Sequence, residues 1–120
     1  MRINGKSYKS LNFTMLEDKL RSKEKDQTYR VLFIPNFEEG EIIAITFKKE
    51  FLYLAKVLTI IPKQLKDINE YEAKRDGFDS VVEFQEGIKK LNNIKSLKHW
   101  GFIIRFQAIK NRLEEFINEV

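Results

Sequence analysis

The sequence predicts an α+β fold: a small, mostly antiparallel sheet or partly open barrel with helices at its side. Three observations carry this. Strand-like and helix-like segments follow one another without a regular βαβ rhythm. Two apolar runs, 41–47 and 51–61, are separated only by Lys48-Lys49-Glu50 and read as a long hairpin. With 42% hydrophobic and 33% charged residues in a length of 120, the chain has material for one core, and a single domain over 1–120 is expected.

Taken in order, Leu11 to Phe13 reads as a short strand, and Met15 to Arg21 as a helix with Met15, Leu16 and Leu20 on one face. Ser22 to Arg30 reads as a polar loop. Its only uncharged members are Ser22, Gln27, Thr28 and Tyr29, so burying it demands a partner for every polar group. Val31 to Ile34 is apolar and ends at Pro35, Glu38 to Glu41 is a turn around Gly40, and the hairpin strands follow. Pro62 opens a helical pattern with Leu65, Ile68 and Tyr71 on one face, and Gly77 supplies a left-handed stop. Ser80 and Glu83 stand at capping-box spacing before a stripe of Val81, Phe84, Ile88 and Leu91. After the Asn92-Asn93 turn, Trp100 to Phe106 reads as a strand. The end, through Ile109, Leu113, Phe116, Ile117 and Val120, is amphipathic at helical spacing and needs either the domain body or a second copy of the chain to cover it.

Several function classes are excluded or disfavoured. Without cysteine there is no disulfide, thiol nucleophile or zinc–thiolate cluster. The apolar runs are shorter than the roughly 20 residues a spanning helix needs, and no apolar stretch follows the basic residues of Met1 to Ser10 as in a secretory leader. A cytoplasmic protein is expected. P-loop, dinucleotide and calcium-loop patterns are absent, and His99 is the only histidine, so neither a cofactor nor a metal is expected. The net charge of +4 is unevenly placed: residues 1–30 hold eight Lys/Arg against four acids, and the other ninety residues hold 14 of each sign. A cationic N-terminal surface suits a phosphate backbone; a solvated basic helix is the bland alternative.

Two segments together resemble the ASCH family, a β-barrel group related to the PUA domain. Leu20 to Arg30, with Lys25, Thr28 and Arg30 in the order K-x-x-T-x-R, is similar to the family's loop, although Lys23 stands where a glycine is usual. Glu72 to Ser80, with Asp76-Gly77-Phe78 before a capped helix, is similar to its "acid, Gly, Phe" segment, and Glu39-Gly40-Glu41 to its turn before a long strand. The resemblance covers about 8–107 and leaves 108–120 as an extra C-terminal helix. It implies a PUA-like barrel with a cleft beside the loop, and a role with RNA or a nucleotide-like ligand contacted by Lys23, Lys25, Gln27, Tyr29 and Arg30. One branch of the family hydrolyses N4-acetylcytidine with a Lys, a Thr and a Glu, which fall here on Lys25, Thr28 and Asp76, the last one methylene shorter; other members are proposed ribonucleases.

The residue types support chemistry of that kind. A desolvated lysine can take the proton of a threonine hydroxyl, an adjacent acid can orient it, and an arginine fork suits a phosphate or carbonyl oxygen. Three classes of function are thus expected: an RNA or nucleotide reader, an amidohydrolase of a modified nucleoside or a ribonuclease, and a partner-binding module using the C-terminal helix, with a homodimer as one form.

Overall fold

The computed structural model describes residues 1–109. The elements run β1 (Arg2–Ile3), β2 (Lys6–Ser7), β3 (Ser10–Phe13), α1 (Glu17–Arg21), β4 (Gln27–Val31), β5 (Ile42–Phe47) and β6 (Glu50–Gln64). After a 3-10 turn (Leu65–Asp67) come α2 (Glu70–Arg75), α3 (Val81–Asn92) and β7 (Trp100–Ala108). β1 and β2 pair with each other, and the other strands form one sheet in the order β3-β5-β6-β7-β4. Only β3–β5 is parallel; every other neighbouring pair in the sheet is antiparallel. The sheet curls into a half-barrel flanked by the helices, as expected for a PUA-like ASCH fold.

The curl comes from β6. Its first half pairs with β5 through Lys56 and its second half with β7 from Ala55 onward, and the register to β7 shifts between Val57 and Thr59. Such a bulge bends a strand and increases its twist, so one long strand serves two neighbours in two directions. Beyond the bulge the far edge of β6 has no strand partner among the described residues. The Ile60 N–H there donates to Glu39 Oε2 at 2.8 Å, and Pro62, two residues on, faces the same edge, where its missing N–H costs no ladder bond. This corrects the expectation that Pro62 starts a helix: it lies within β6 opposite Phe102. The helix begins at Glu70, capped by Asn69, whose side chain accepts from the Glu72 N–H while Glu72 reaches back to the Asn69 N–H.

Alternation along the strands separates two apolar clusters. Leu11, Phe13, Ile43, Ile45, Ile104 and Phe106 fill the inside of the curl together with Leu20 of α1. Tyr29, Val31, Ile103, Phe84, Ile88 and Leu65 pack between the sheet and the helices. On β7 the neighbours Ile103 and Ile104 belong to different clusters, as a period of two requires. The Ser80 cap and the left-handed stop at Gly77 (φ 99°) stand where the sequence placed them, and the expected Asn92-Asn93 turn contains the left-handed C-cap of α3 at Asn93 (φ 53°). Leu91, expected in the buried stripe, is exposed.

The largest correction concerns Ser22 to Arg30. Its second half is not a loop but β4, paired residue for residue with β7 from Gln27–Arg105 to Val31–Gly101. β7 makes room for it with Gly101, where a Cβ would stand 2.7 Å from Tyr29 Cζ. The expected strand from Trp100 runs two residues further than Phe106, so Ala108, expected to open the C-terminal helix, belongs to β7; residues 110–120, where the rest of that expectation falls, lie outside the described residues.

Candidate functional site

The two ends of the curled sheet, β3 and β4, do not pair, and Arg30 spans between them, its Nη2 donating to the Asn12 carbonyl at 2.6 Å. At this seam lies a cleft of about 300 Å³, within the range for small-ligand sites. Its polar end is formed by Asn12, Lys25, Thr28, Arg30 and Asp76, and its apolar walls include Leu16, Leu32, Phe33, Phe78 and Leu91. Leu16 (φ 59°) and Leu32 (φ 55°) are both held in the left-handed region, which costs a non-glycine residue on the order of 1 kcal/mol or more and tends to cluster at functional sites.

Lys25, Thr28 and Asp76, distant in sequence, do line one cleft. Asp76 is placed there by the C-cap of α2. Gly77 follows with φ 99°, a backbone conformation that favours glycine, and Leu16 Cδ1 would lie 2.8 Å from a Cβ at that position, so a side chain there would also have to displace Leu16. Lys19 Nζ donates to the Gly77 carbonyl at 2.8 Å and ties the same corner. Lys25 and Asp76 are almost fully buried, with Nζ 3.1 Å from Oδ1. The directed donor of the ammonium goes to the Asp76 backbone carbonyl, so Oδ1 feels the charge of Lys25 while accepting no well-aligned hydrogen bond. Burial pushes the Asp76 carboxyl up to about 6, against the pull of Lys25, Arg30 and the Tyr29 N–H. Burial likewise lowers the Lys25 ammonium, and Asp76 opposes it. Both shifts have one cause: the charged forms have left water for a site that compensates them incompletely.

Thr28 and Arg30 share the cleft-facing side of β4. Arg30 Nε donates to Thr28 Oγ1 at 3.1 Å, and the guanidinium lies 4.8 Å from the centroid of the Phe13 ring. Lys25 Nζ approaches the same ring at 5.5 Å. Burial lowers the Arg30 pKa, opposed by Asp76.

The remaining expected contacts are distributed differently. Gln27 is buried on the helix side, donating to the Glu72 carbonyl at 2.9 Å and accepting from Arg105 at 3.3 Å. Tyr29 is buried too; its ring packs edge-on against Phe84, and its hydroxyl donates to the Lys63 carbonyl at 2.8 Å. Burial, with Asp67 adding, pushes its phenol up to about 12, so it stays a neutral donor. Alternation in β4 turns both side chains toward the helices, and of the two only Tyr29 is also among the residues lining the cleft. Lys23 is exposed at φ 65°, with Nζ 5.6 Å from the Tyr53 ring centroid. Three of the eight basic residues of the N-terminal end meet acids: Lys9 pairs with Glu41, Arg21 with Glu17, and Lys25 is buried against Asp76. His99 is not among the cleft residues. Among the described residues no three His, Asp or Glu side chains gather as a metal site would need, and no helix is long and apolar enough to cross a membrane.

Sequence reasoning missed Asn12, Phe13 and the apolar walls. Asn12 gives its carbonyl to Arg30 while its side-chain Oδ1 accepts from Thr46 Oγ1 at 2.8 Å and the Lys49 N–H at 2.7 Å. Nothing in the local sequence distinguishes it from any other strand asparagine.

No family model matches the sequence, and no curated protein matches it. Solved structures do. The chain is similar to the crystal structure of an ASCH domain from Lactobacillus crispatus JV V101, with a TM-score of 0.68 and 14% identity over 85% of this chain and 79% of that one. It is also similar to a DUF984 protein from Enterococcus faecalis V583, with a TM-score of 0.58 and 12% identity over 73% of this chain. It spans 63% of that second protein, less than two thirds of its length. The fold is that of an ASCH domain.

Proposed function

We propose that the protein binds a nucleotide-like ligand, a single base-bearing unit either free or as an unpaired residue of an RNA, in the cleft between β3 and β4. The observation that carries this reading is the buried Lys25–Asp76 pair at the end of a cleft of about 300 Å³, its carboxylate oxygen lacking an aligned donor. A base needs apolar faces and a polar edge to meet its donors and acceptors. Leu16, Phe33, Phe78 and Leu91 offer the first, and Asn12, Thr28, Arg30 and Asp76 the second. The pairing of Lys9, Arg21 and Lys25 with acids lowers the charge available for a phosphate track along the surface and favours recognition of one unit. The ASCH fold, expected from the sequence to accompany an RNA-related role, is consistent with this reading.

Calorimetric titration of cytidine, N4-acetylcytidine and a short single-stranded RNA tests it. Binding is expected, and Leu91→Arg, which fills the exposed mouth of the cleft without touching the core, is expected to weaken it at least tenfold. Absence of binding by all three probes, or binding untouched in Leu91→Arg, rejects the cleft as the site.

A second reading, amide hydrolysis of an acetylated nucleoside, is favoured by one observation: Lys25, Thr28 and Asp76 line the same cleft, and burial pushes Lys25 toward the neutral form a base requires. Release of acetate from N4-acetylcytidine by the wild type, lost in Thr28→Val, supports it. Binding without release leaves the protein a reader. The localisation, the partners and a ribonuclease activity rest on the sequence expectation alone.

A further inference from the structure

Arg30 is the one charge of the cleft that has no ion-pair partner among the described residues. Of the described residues lining the cleft, Lys25, Arg30 and Asp76 carry the formal charges. Lys25 and Asp76 answer each other at 3.1 Å. The hydrogen bonds of Arg30 go to neutral acceptors, Thr28 Oγ1 at 3.1 Å and the Asn12 carbonyl at 2.6 Å, and although Asp76 acts on it at longer range, no carboxylate among the described residues comes within ion-pair distance of it. Its second terminal nitrogen, Nη1, has no acceptor among the described residues and is not among the buried unpartnered atoms.

The guanidinium is also held rigidly. The Phe13 ring supports one face at 4.8 Å, and the two bonds fix its plane between β3 and β4. A half-buried cation fixed in place with a free fork position meets an oxyanion with little further ordering cost. A flexible surface lysine must give up rotamer freedom for the same contact.

We infer that the cleft seats a ligand carrying one anionic oxygen group, a phosphate ester or a carboxylate, held at Arg30 with its apolar or aromatic body toward Leu16, Phe33 and Phe78. The inference rests on the cleft being the ligand site, and it deepens the nucleotide-like reading by assigning the place of the ligand's negative charge. Lys25 does not compete for that anion, because its ammonium is committed to Asp76. Asp76 sets a limit instead: its carboxylate repels an anion placed on its side of the cleft, which directs the group toward Nη1 of Arg30.

The test titrates four probes, cytidine, cytidine 5′-monophosphate, inorganic phosphate and acetate, into the wild type, Arg30→Met and Arg30→Lys. Methionine keeps apolar packing on Phe13 and removes the charge. The monophosphate is expected to bind the wild type about tenfold or more tighter than cytidine, and Arg30→Met is expected to bind both equally. Arg30→Lys should recover only part of the preference, because the fork is lost. Cytidine binding as tightly as its monophosphate to the wild type overturns the inference and leaves the nucleotide-like reading intact. Phosphate or acetate binding to the wild type but not to Arg30→Met, with neither cytidine compound binding, supports the anion seat and removes the nucleotide-like reading. Phosphate without acetate assigns a phosphate ester, and acetate without phosphate a carboxylate. No preference and no anion binding in the wild type overturns the inference even where Arg30→Met fails to fold.

Discussion

Two lysine–carboxylate pairs stand one helical turn apart at α2, and they are built to opposite ends. Glu72 receives Lys63 Nζ on both oxygens at 2.7 and 2.9 Å, and its Oε1 also accepts the Asn69 N–H at 3.0 Å. Lys63 keeps 26% of its side chain in contact with solvent, so its charge is never stranded. Asp76, four residues on, is paired with Lys25, and the two side chains are only 3% and 4% exposed. Its Oδ1 lies near the ammonium but off the line of its donors. The same two chemical groups thus give one pair whose bonding closes on itself and one that leaves a buried acceptor without an aligned hydrogen bond beside a cleft. A satisfied pair caps a helix and ends there. A partly satisfied buried pair carries an electrostatic cost, which makes it the less settled of the two.

Asp76→Asn tests that difference most strongly. Because the Asp76 carboxyl is raised to about 6, the native state holds a proton that the unfolded chain releases near 4. The contribution is therefore present at low pH and is lost as the pH rises through 6. Relative to wild type, the asparagine variant should gain up to about 3 kcal/mol between pH 4 and 7, read from urea midpoints of both proteins at each pH; parallel profiles would remove the claim that the pair is under-compensated. Glu72→Met breaks the closed pair. It should cost about 2 kcal/mol of stability through the lost cap and ion pair while leaving ligand affinity unchanged, and a matching loss of affinity would merge the two pairs into one functional unit. Lys23→Ala should do least, within about 0.5 kcal/mol in stability and within twofold in affinity for cytidine 5′-monophosphate; a tenfold loss would shift the anion contact from the cleft to the surface.

Much of the fold was legible because local signals and tertiary context agree. The β-branched run ending at Phe47, the Ser80 cap and the glycine at position 77 specify their conformations through sterics and hydrogen bonding within a few residues. Pro62 misled because proline is disfavoured in strands only where its N–H is needed, and the free edge of β6 removes that need. The polar segment ending at Arg30 misled for a related reason. Charge and polarity predict exposure unless every group finds a partner, and here the partners of Lys25, Gln27 and Arg30 come from positions 76, 72 and 12. The candidate triad was legible only through its resemblance to a family pattern. Asn12 and Phe13, which orient Arg30, carried no signal at all.

By itself the sequence determined the class of fold, most of the turn and cap positions, the absence of any thiol chemistry and the residue types available for a polar site. Whether those residues face water, the core or each other was decided by the closing of the curled sheet. Alternation along β4 sends Gln27 and Tyr29 to the helices and Thr28 and Arg30 to the cleft, and that parity depends on register with β7, a strand more than seventy residues away. Register is a property of two segments together, so the character of each charge in this chain, solvated, paired or waiting for a ligand, belongs to the tertiary structure.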